Sequence, residues 1–547
     1  MKIKILLTLF LSCALGLSAQ GYLDGIDYYR ADQYGNARTI FERTLNDADT
    51  DKAVSYYYLG QLAIMDGELD KALEYFNKGI EVNPNYAYNY VGLALLDLKK
   101  GDKKSAENYI KQAKKLDKKN AALYVEIARA YYDTNKDLYQ KDIQKSLKES
   151  YKISIEEPSY YLFVGDTIIV NATNNRELGD AAAYYDQAIN YAPNSAYTVV
   201  KYSGLYEKLN PSLAISSMRK FLATNPNSAL AQRELAERLY NQKMYTEAAV
   251  EYGKYIKMPS HFAEDEQRYA ILLHHGGNYA EAFEVAKNIA PKLENPFFMD
   301  RMLFYTKLEL KDYTEAYNYA NIFFKKYPDP QYLSDGDYVR YATIARECAK
   351  IDTANANAYI DSAIVKYKAL IVKNPKASVA YKSLADIYSS RKDYLNAITY
   401  SEQYIGTLEN PKDVDYESLA LYLCNQSTIE TDEVKKKEYQ DRAIAAILKA
   451  VENTKDPYVA RTAGRIYYIV QGEYTADFEK YYLKSLELLD ADEFYAQKAQ
   501  GMYTHVLYAL GVYYYQQNDN VKAKEMFMRY LQFDPNNAKI NDIIKQL

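Results

Sequence analysis

Residues 56–85 read YYYLGQLAIMDGELDKALEYFNKGIEVNPN, and this stretch decides the fold. Tyr56, Leu59, Gly60 and Ala63 lie at i, i+3, i+4 and i+7, the spacing of one helix face. Asp66-Gly67 interrupts that stripe. A second one follows through Leu69, Ala72, Leu73, Phe76 and Ile80. Asn83-Pro84-Asn85 then ends it, because proline has no N–H to donate and cannot continue a helix. The unit is a helical hairpin. A small residue in each helix allows close approach, and large residues fill the space between hairpins.

The hairpin recurs. Tyr56, Tyr90 and Tyr124 are 34 residues apart, as are Leu59, Leu93 and Ile127, and Gly60, Ala94 and Ala128. The period returns at Tyr245, Tyr279 and Tyr313, at Ala248, Ala282 and Ala316, and at Ala236, Ala270 and Phe304. A fixed period shared by independent positions is the mark of a repeat architecture. The spacing of Tyr56, Leu59, Gly60, Ala72, Phe76 and Pro84 resembles the tetratricopeptide repeat family. Leu507, Leu510, Gly511, Tyr514, Ala523, Phe527 and Pro535 fit that pattern best. The resemblance implies an all-α fold, an α-solenoid forming a right-handed superhelix of about fourteen hairpins over 22–537.

Departures from the period suggest blocks of 21–157, 158–330 and 331–537, followed by a capping helix over 538–547. The irregular stretches are 133–180, 331–362 and 425–440. They read as longer surface loops within continuous stacking, with joints between blocks as the sharper alternative.

The chain has 547 residues, a net charge of -5, 62 tyrosines and no tryptophan. Its acidic balance argues against nucleic acid as the main partner, since phosphate binding wants a basic surface. Residues 1–20 read as a signal peptide: Lys2 and Lys4, an apolar run from Ile5 to Leu17, then Ser18-Ala19 before Gln20. Phe10 and Leu11 fit a lipobox poorly, so acylation at Cys13 is the lesser reading. No other run reaches membrane-spanning length. The expected location is outside the cytoplasm, in the periplasm or at the outer membrane, with peripheral membrane association left open. The Tyr-, Asn- and Lys-rich composition and the leader resemble exported Bacteroidota proteins.

Chemistry-bearing patterns are sparse. The histidines are His261, His274, His275 and His505, with no H-E-x-x-H spacing. Neither nucleotide-binding glycine fingerprint occurs. Asp47, Asp49 and Asp51 imitate a calcium loop, but Lys52 and Tyr58 replace its glycine and its bidentate glutamate. Cys348 and Cys424 lie two repeats apart, too far for a disulfide, and are expected to be free, buried thiols. The nine lysines of Lys99 to Lys119 interleave with Ala106, Ile110, Ala113 and Leu116 and read as a solvated outer face. No metal, cofactor or catalytic role is assigned.

The resemblance implies that the first helix of each hairpin lines an inner face that holds a protein or peptide. Candidate contacts there are Arg233, Arg268, Arg301 and Arg340, a ladder suited to an acidic partner because guanidinium matches carboxylate as a planar fork. Tyr57, Tyr58, Tyr88 and Tyr197 fall off the core stripe and are the candidate aromatic lining. The family's carboxylate clamp is not matched, since Tyr57 and Gln61 occupy its positions in the second repeat. The expectation is a non-catalytic interaction scaffold of the bacterial envelope. Its rivals are an accessory subunit of an outer-membrane assembly or secretion complex, and an enzyme with a site in the irregular segments.

Overall fold

The computed structural model describes residues 21–491 and 499–547. The expected signal peptide of residues 1–20, with Cys13, lies outside the described residues. Among the described residues there are 29 α-helices and no strand. Most pair into successive hairpins, packing most closely on a sequence neighbour, and Ala538–Gln546 forms a last single helix. Two compact units result, one running to Thr306 and the other from Lys307 to Leu547.

In the first unit the helices are α1 (Gly21–Arg30), α2 (Tyr34–Thr44), α3 (Lys52–Met65), α4 (Leu69–Val82), α5 (Ala87–Lys99) and α6 (Lys103–Leu116). They continue as α7 (Ala121–Asn135), α8 (Gln140–Ile153), α9 (Pro158–Asn171), α10 (Asn175–Tyr191), α11 (Ala196–Leu209) and α12 (Pro211–Thr224). Next come α13 (Ala229–Asn241), α14 (Tyr245–Tyr255), α15 (Ala263–His275) and α16 (Tyr279–Ile289). The starts are written in the sequence. Asp51, Asp102, Asn120, Ser195 and Ser228 each accept a backbone N–H of the first turn they precede, satisfying donors that have no intrahelical partner. Asp51 is therefore a helix cap.

An aromatic ring seated on glycine joins the hairpins. Phe76 is fully buried, and a Cβ placed on Gly60 or on Gly92 would lie 2.4 or 2.3 Å from its ring. Phe76 on α4 thus wedges between α3 and α5, with bare backbone on both sides. Tyr185 meets Gly165, Tyr482 meets Gly464 and Phe527 meets Gly511 with the same closeness. Tight turns between paired helices put Gly67 and Gly101 at φ +79° and +82°. Lys243, Lys311 and Lys392 carry the same left-handed turn at φ 61°, 59° and 60°. Turn geometry thus repeats more faithfully than turn sequence.

In two of the irregular stretches, 331–362 and 425–440, the extra residues lengthen helices. Asp335–Ile351, Ala356–Lys373, Asp413–Ile429 and Glu433–Val451 run 17, 18, 17 and 19 residues, against 13 or 14 in α3 to α6. The connections of 352–355 and 430–432 stay short. Added helical turns keep their backbone groups hydrogen-bonded, which a long loop would not.

Cys348 and Cys424 are free and buried. Burial pushes both thiols up to about 11. In α6 the buried positions are Ala106, Ile110 and Ala113, while Leu116 is exposed among the lysines.

Candidate functional site

The contact that shapes the first unit is not between sequence neighbours. Helix α1 packs against α11 and α13, about 170 to 220 positions further along the chain. Tyr28 is fully buried and meets Phe262 edge-on at 5.6 Å. Ser260 donates to the buried carboxylate of Asp24. Gln33 donates to Glu234 at 2.6 Å, and Lys201 pairs with Asp32 at 3.0 Å. The first hairpin is thereby fastened across the inner side of its own unit.

Two carboxyls in this fastening are perturbed. Burial, opposed by the Ser260 hydrogen bond and by Arg43, pushes Asp24 up to about 6. Burial and the Asp24 charge push Asp27 up to about 7, against Arg30 and the Tyr197 backbone N–H. Both therefore bind protons more tightly when docked than at the ordinary carboxylate value of about 3.9. Docking is strongest when they are protonated, and it weakens as pH rises from about 4 through 7. Amide exchange in residues 21–44, corrected for its intrinsic pH dependence, should be at least about tenfold faster at pH 8 than at pH 5. Asp27→Asn should flatten that dependence, and equal protection at both pH values would contradict the assignment.

Between this hairpin and the inner helices lies a cavity of about 300 Å³. Arg30, at the end of α1, is its organising cation. Its Nε donates to Tyr58 at 3.2 Å, Nη2 lies 3.7 Å from Glu126, and the guanidinium sits 5.6 Å from the Tyr197 ring centre. Tyr57 donates to the other Glu126 oxygen at 3.1 Å. Tyr88 meets Tyr57 edge-on at 5.5 Å. Burial raises the Tyr57, Tyr58 and Tyr88 hydroxyls above their usual range, so they act as neutral donors and acceptors.

The four candidate tyrosines are thus gathered around one arginine, though not as an open lining. Tyr57 and Tyr58 are 1% and 4% exposed, while Tyr88 and Tyr197 are half-buried. Tyr56, which the core stripe claimed, is only half-buried and stacks on Tyr75. Helix α3 is covered on its inner side by the first hairpin as well as on its outer side by α4, so both faces are core. Arg30 and Glu126 escaped the sequence reading because each is a single charge in a non-repeating position.

The candidate arginines have partners within the chain. Arg233 makes a fork to Asp265, with Nη2 at 3.0 Å and Nε at 3.2 Å from Oδ1, and Asp265 also accepts from Tyr252 and Tyr255. Arg268 is bidentate on Glu237 at 3.0 and 2.7 Å and lies 3.9 Å from the Tyr240 ring centre. Arg301 lies 4.5 Å from the Phe297 ring centre. Arg340 is half-buried on Asp335–Ile351, in the second unit.

The hairpins with aromatic-on-glycine wedges agree with comparison to known proteins. The tetratricopeptide repeat family model matches residues 53–86, 87–120, 203–260 and 504–537. In these four stretches the chain matches the tetratricopeptide repeat. These stretches occur in both units and include both of the segments whose residues carried the resemblance. A TPR repeat-containing protein of Methanocaldococcus jannaschii is 26% identical over 240 residues, which is 43% of this chain and 42% of its own length. The match therefore spans less than half of that relative. Among solved structures, the C-terminal part of a TPR repeat-containing protein from Cytophaga hutchinsonii is 19% identical with a TM-score of 0.41, over 50% of this chain and 98% of that one. A human IFIT1 dimer with PPP-AAAA is 14% identical with a TM-score of 0.30, over 93% and 95%.

Among the described residues no cluster of three or more His, Cys, Asp or Glu side chains is arranged to hold a metal ion. No helix there is long and apolar enough to cross a membrane.

Proposed function

We propose that this chain is a non-catalytic interaction scaffold of the bacterial envelope, holding a protein or peptide partner on the inner helices of its hairpins. The observation that carries the reading is the presence of tetratricopeptide repeats in both units, since such domains bind protein partners. The reading of residues 1–20 as a signal peptide supports a periplasmic or outer-membrane location.

Arg233, Arg268, Arg301 and Arg340 are the arginines to test for an acidic partner. Arg233 and Arg268 are engaged bidentately, so a partner carboxylate must compete with Asp265 or Glu237. In-cell crosslinking from Tyr88 and Tyr197, followed by mass spectrometry of the envelope fraction, tests the proposal. One reproducible partner is expected, with its yield reduced by Arg301→Glu. Recovery of the chain in the cytoplasm, or crosslinks only to abundant bystanders, would overturn it.

A further inference from the structure

The cavity of the first unit has a chemistry of its own, separate from any partner on an open face. Its charged wall residues are balanced: Arg30, Lys99, Arg129 and Lys201 against Asp32, Glu126, Asp133 and Asp166. A balanced wall does not select a phosphate or a polyanion, because the four carboxylates repel it. Most of these charges are already neutralised in place. Lys201 lies between Asp32 at 3.0 Å and Asp166 at 2.8 Å, and Arg30 is held by Tyr58 and Glu126.

Arg129 and Asp133 differ. The nearest carboxylate to Arg129 is Glu126 at 3.8 Å, beyond hydrogen-bond length, and a third of the Arg129 side chain remains accessible. The Asp133 carboxylate takes part in no hydrogen bond or ion pair within 4 Å among the described residues; Lys99 donates to its backbone oxygen instead. Arg129 and Asp133 are one turn apart on α7, so their side chains rise side by side, with Cβ atoms about 5–6 Å apart. Beside them the wall is apolar, with Ile64, Met65, Leu95 and Leu162, and Tyr29 closes it from the first hairpin.

We propose that this cavity is a binding site for a small α-amino-acid zwitterion, up to dipeptide size, with an apolar side chain. The ligand carboxylate meets the Arg129 fork, its ammonium meets Asp133, and its side chain lies on the Ile64–Leu95 wall. The volume is at the lower end of small-molecule sites. Tyr29 and Arg30 belong to the docked hairpin, so an occupied site holds that hairpin closed.

The test titrates the full chain with L-leucine, L-phenylalanine and leucyl-leucine by calorimetry, alongside N-acetyl-leucine amide and inorganic phosphate. At least one zwitterion should bind in saturable fashion, and the blocked amide and phosphate should not. Arg129→Gln and Asp133→Asn should each weaken binding at least about tenfold with the helical dichroism unchanged. On the unaltered protein the bound zwitterion should slow amide exchange in residues 21–44, a readout that survives if a variant misfolds. No zwitterion binding below about 10 mM, or phosphate or the blocked amide binding equally well, overturns the site. Partner capture is unaffected by either outcome, so failure here is distinct from failure of the scaffold reading.

Discussion

Replacing Phe76 by alanine is expected to lower the stability of the first unit by about 3–5 kcal/mol, the usual cost of emptying a buried aromatic site. The ring has no solvent exposure and lies against Gly60 and Gly92. Neither glycine has a side chain that could swing in to fill the space, so the cavity should persist. The void also opens at the joint between two hairpins. Stacked repeats derive stability from nearest-neighbour interfaces, so the loss should concentrate in α3 to α5. Urea unfolding measures the total, and amide exchange over residues 52–99 locates it. A loss below about 1 kcal/mol would show that the wedge does not hold the hairpins together.

Asp265→Ala is the second large effect, expected at about 3–5 kcal/mol because it strands a cation and two hydroxyls. Asp265 is 5% exposed. It accepts from Arg233, from Tyr252 at 2.8 Å and from Tyr255 at 2.5 Å, and both tyrosines are fully buried. Without the carboxylate, the Arg233 charge loses its fork and each hydroxyl loses its acceptor in a site that water reaches poorly. Asp265→Asn should cost less, since the amide oxygen still accepts. The Tyr255 hydroxyl and the Asp265 charge also act electrostatically on buried Tyr28 of the first hairpin. The alanine variant should therefore speed exchange in residues 21–44 as well as lower the urea midpoint. Equal midpoints for the alanine and asparagine variants would contradict this account.

These two residues mark how far the sequence can be read. Phe76 was legible because its environment is local and repeated: a 34-residue period, a helix-spaced stripe and a glycine in the facing slot. The free thiols followed from the same period, which set their separation. Asp265 was not legible as a network centre. Its partners lie 10, 13 and 32 residues away, off the 34-residue period.

The tyrosines divide along the same line. Their number follows from aromatic slots multiplied along a repeat. Which of them are exposed does not, because Tyr57 and Tyr58 are buried beneath a first hairpin whose position is set by the packing of α1 on α11 and α13. The sequence by itself determined the helices, their pairing and the wedge between hairpins, since all three depend on contacts within one repeat or with the next. Only the tertiary structure decided that α1 closes onto α11 and α13, and that Arg30, Glu126, Arg129 and Asp133 share a cavity. That closure depends on small rotations accumulated over many hairpins and joins residues with no common period, so no local pattern encodes it.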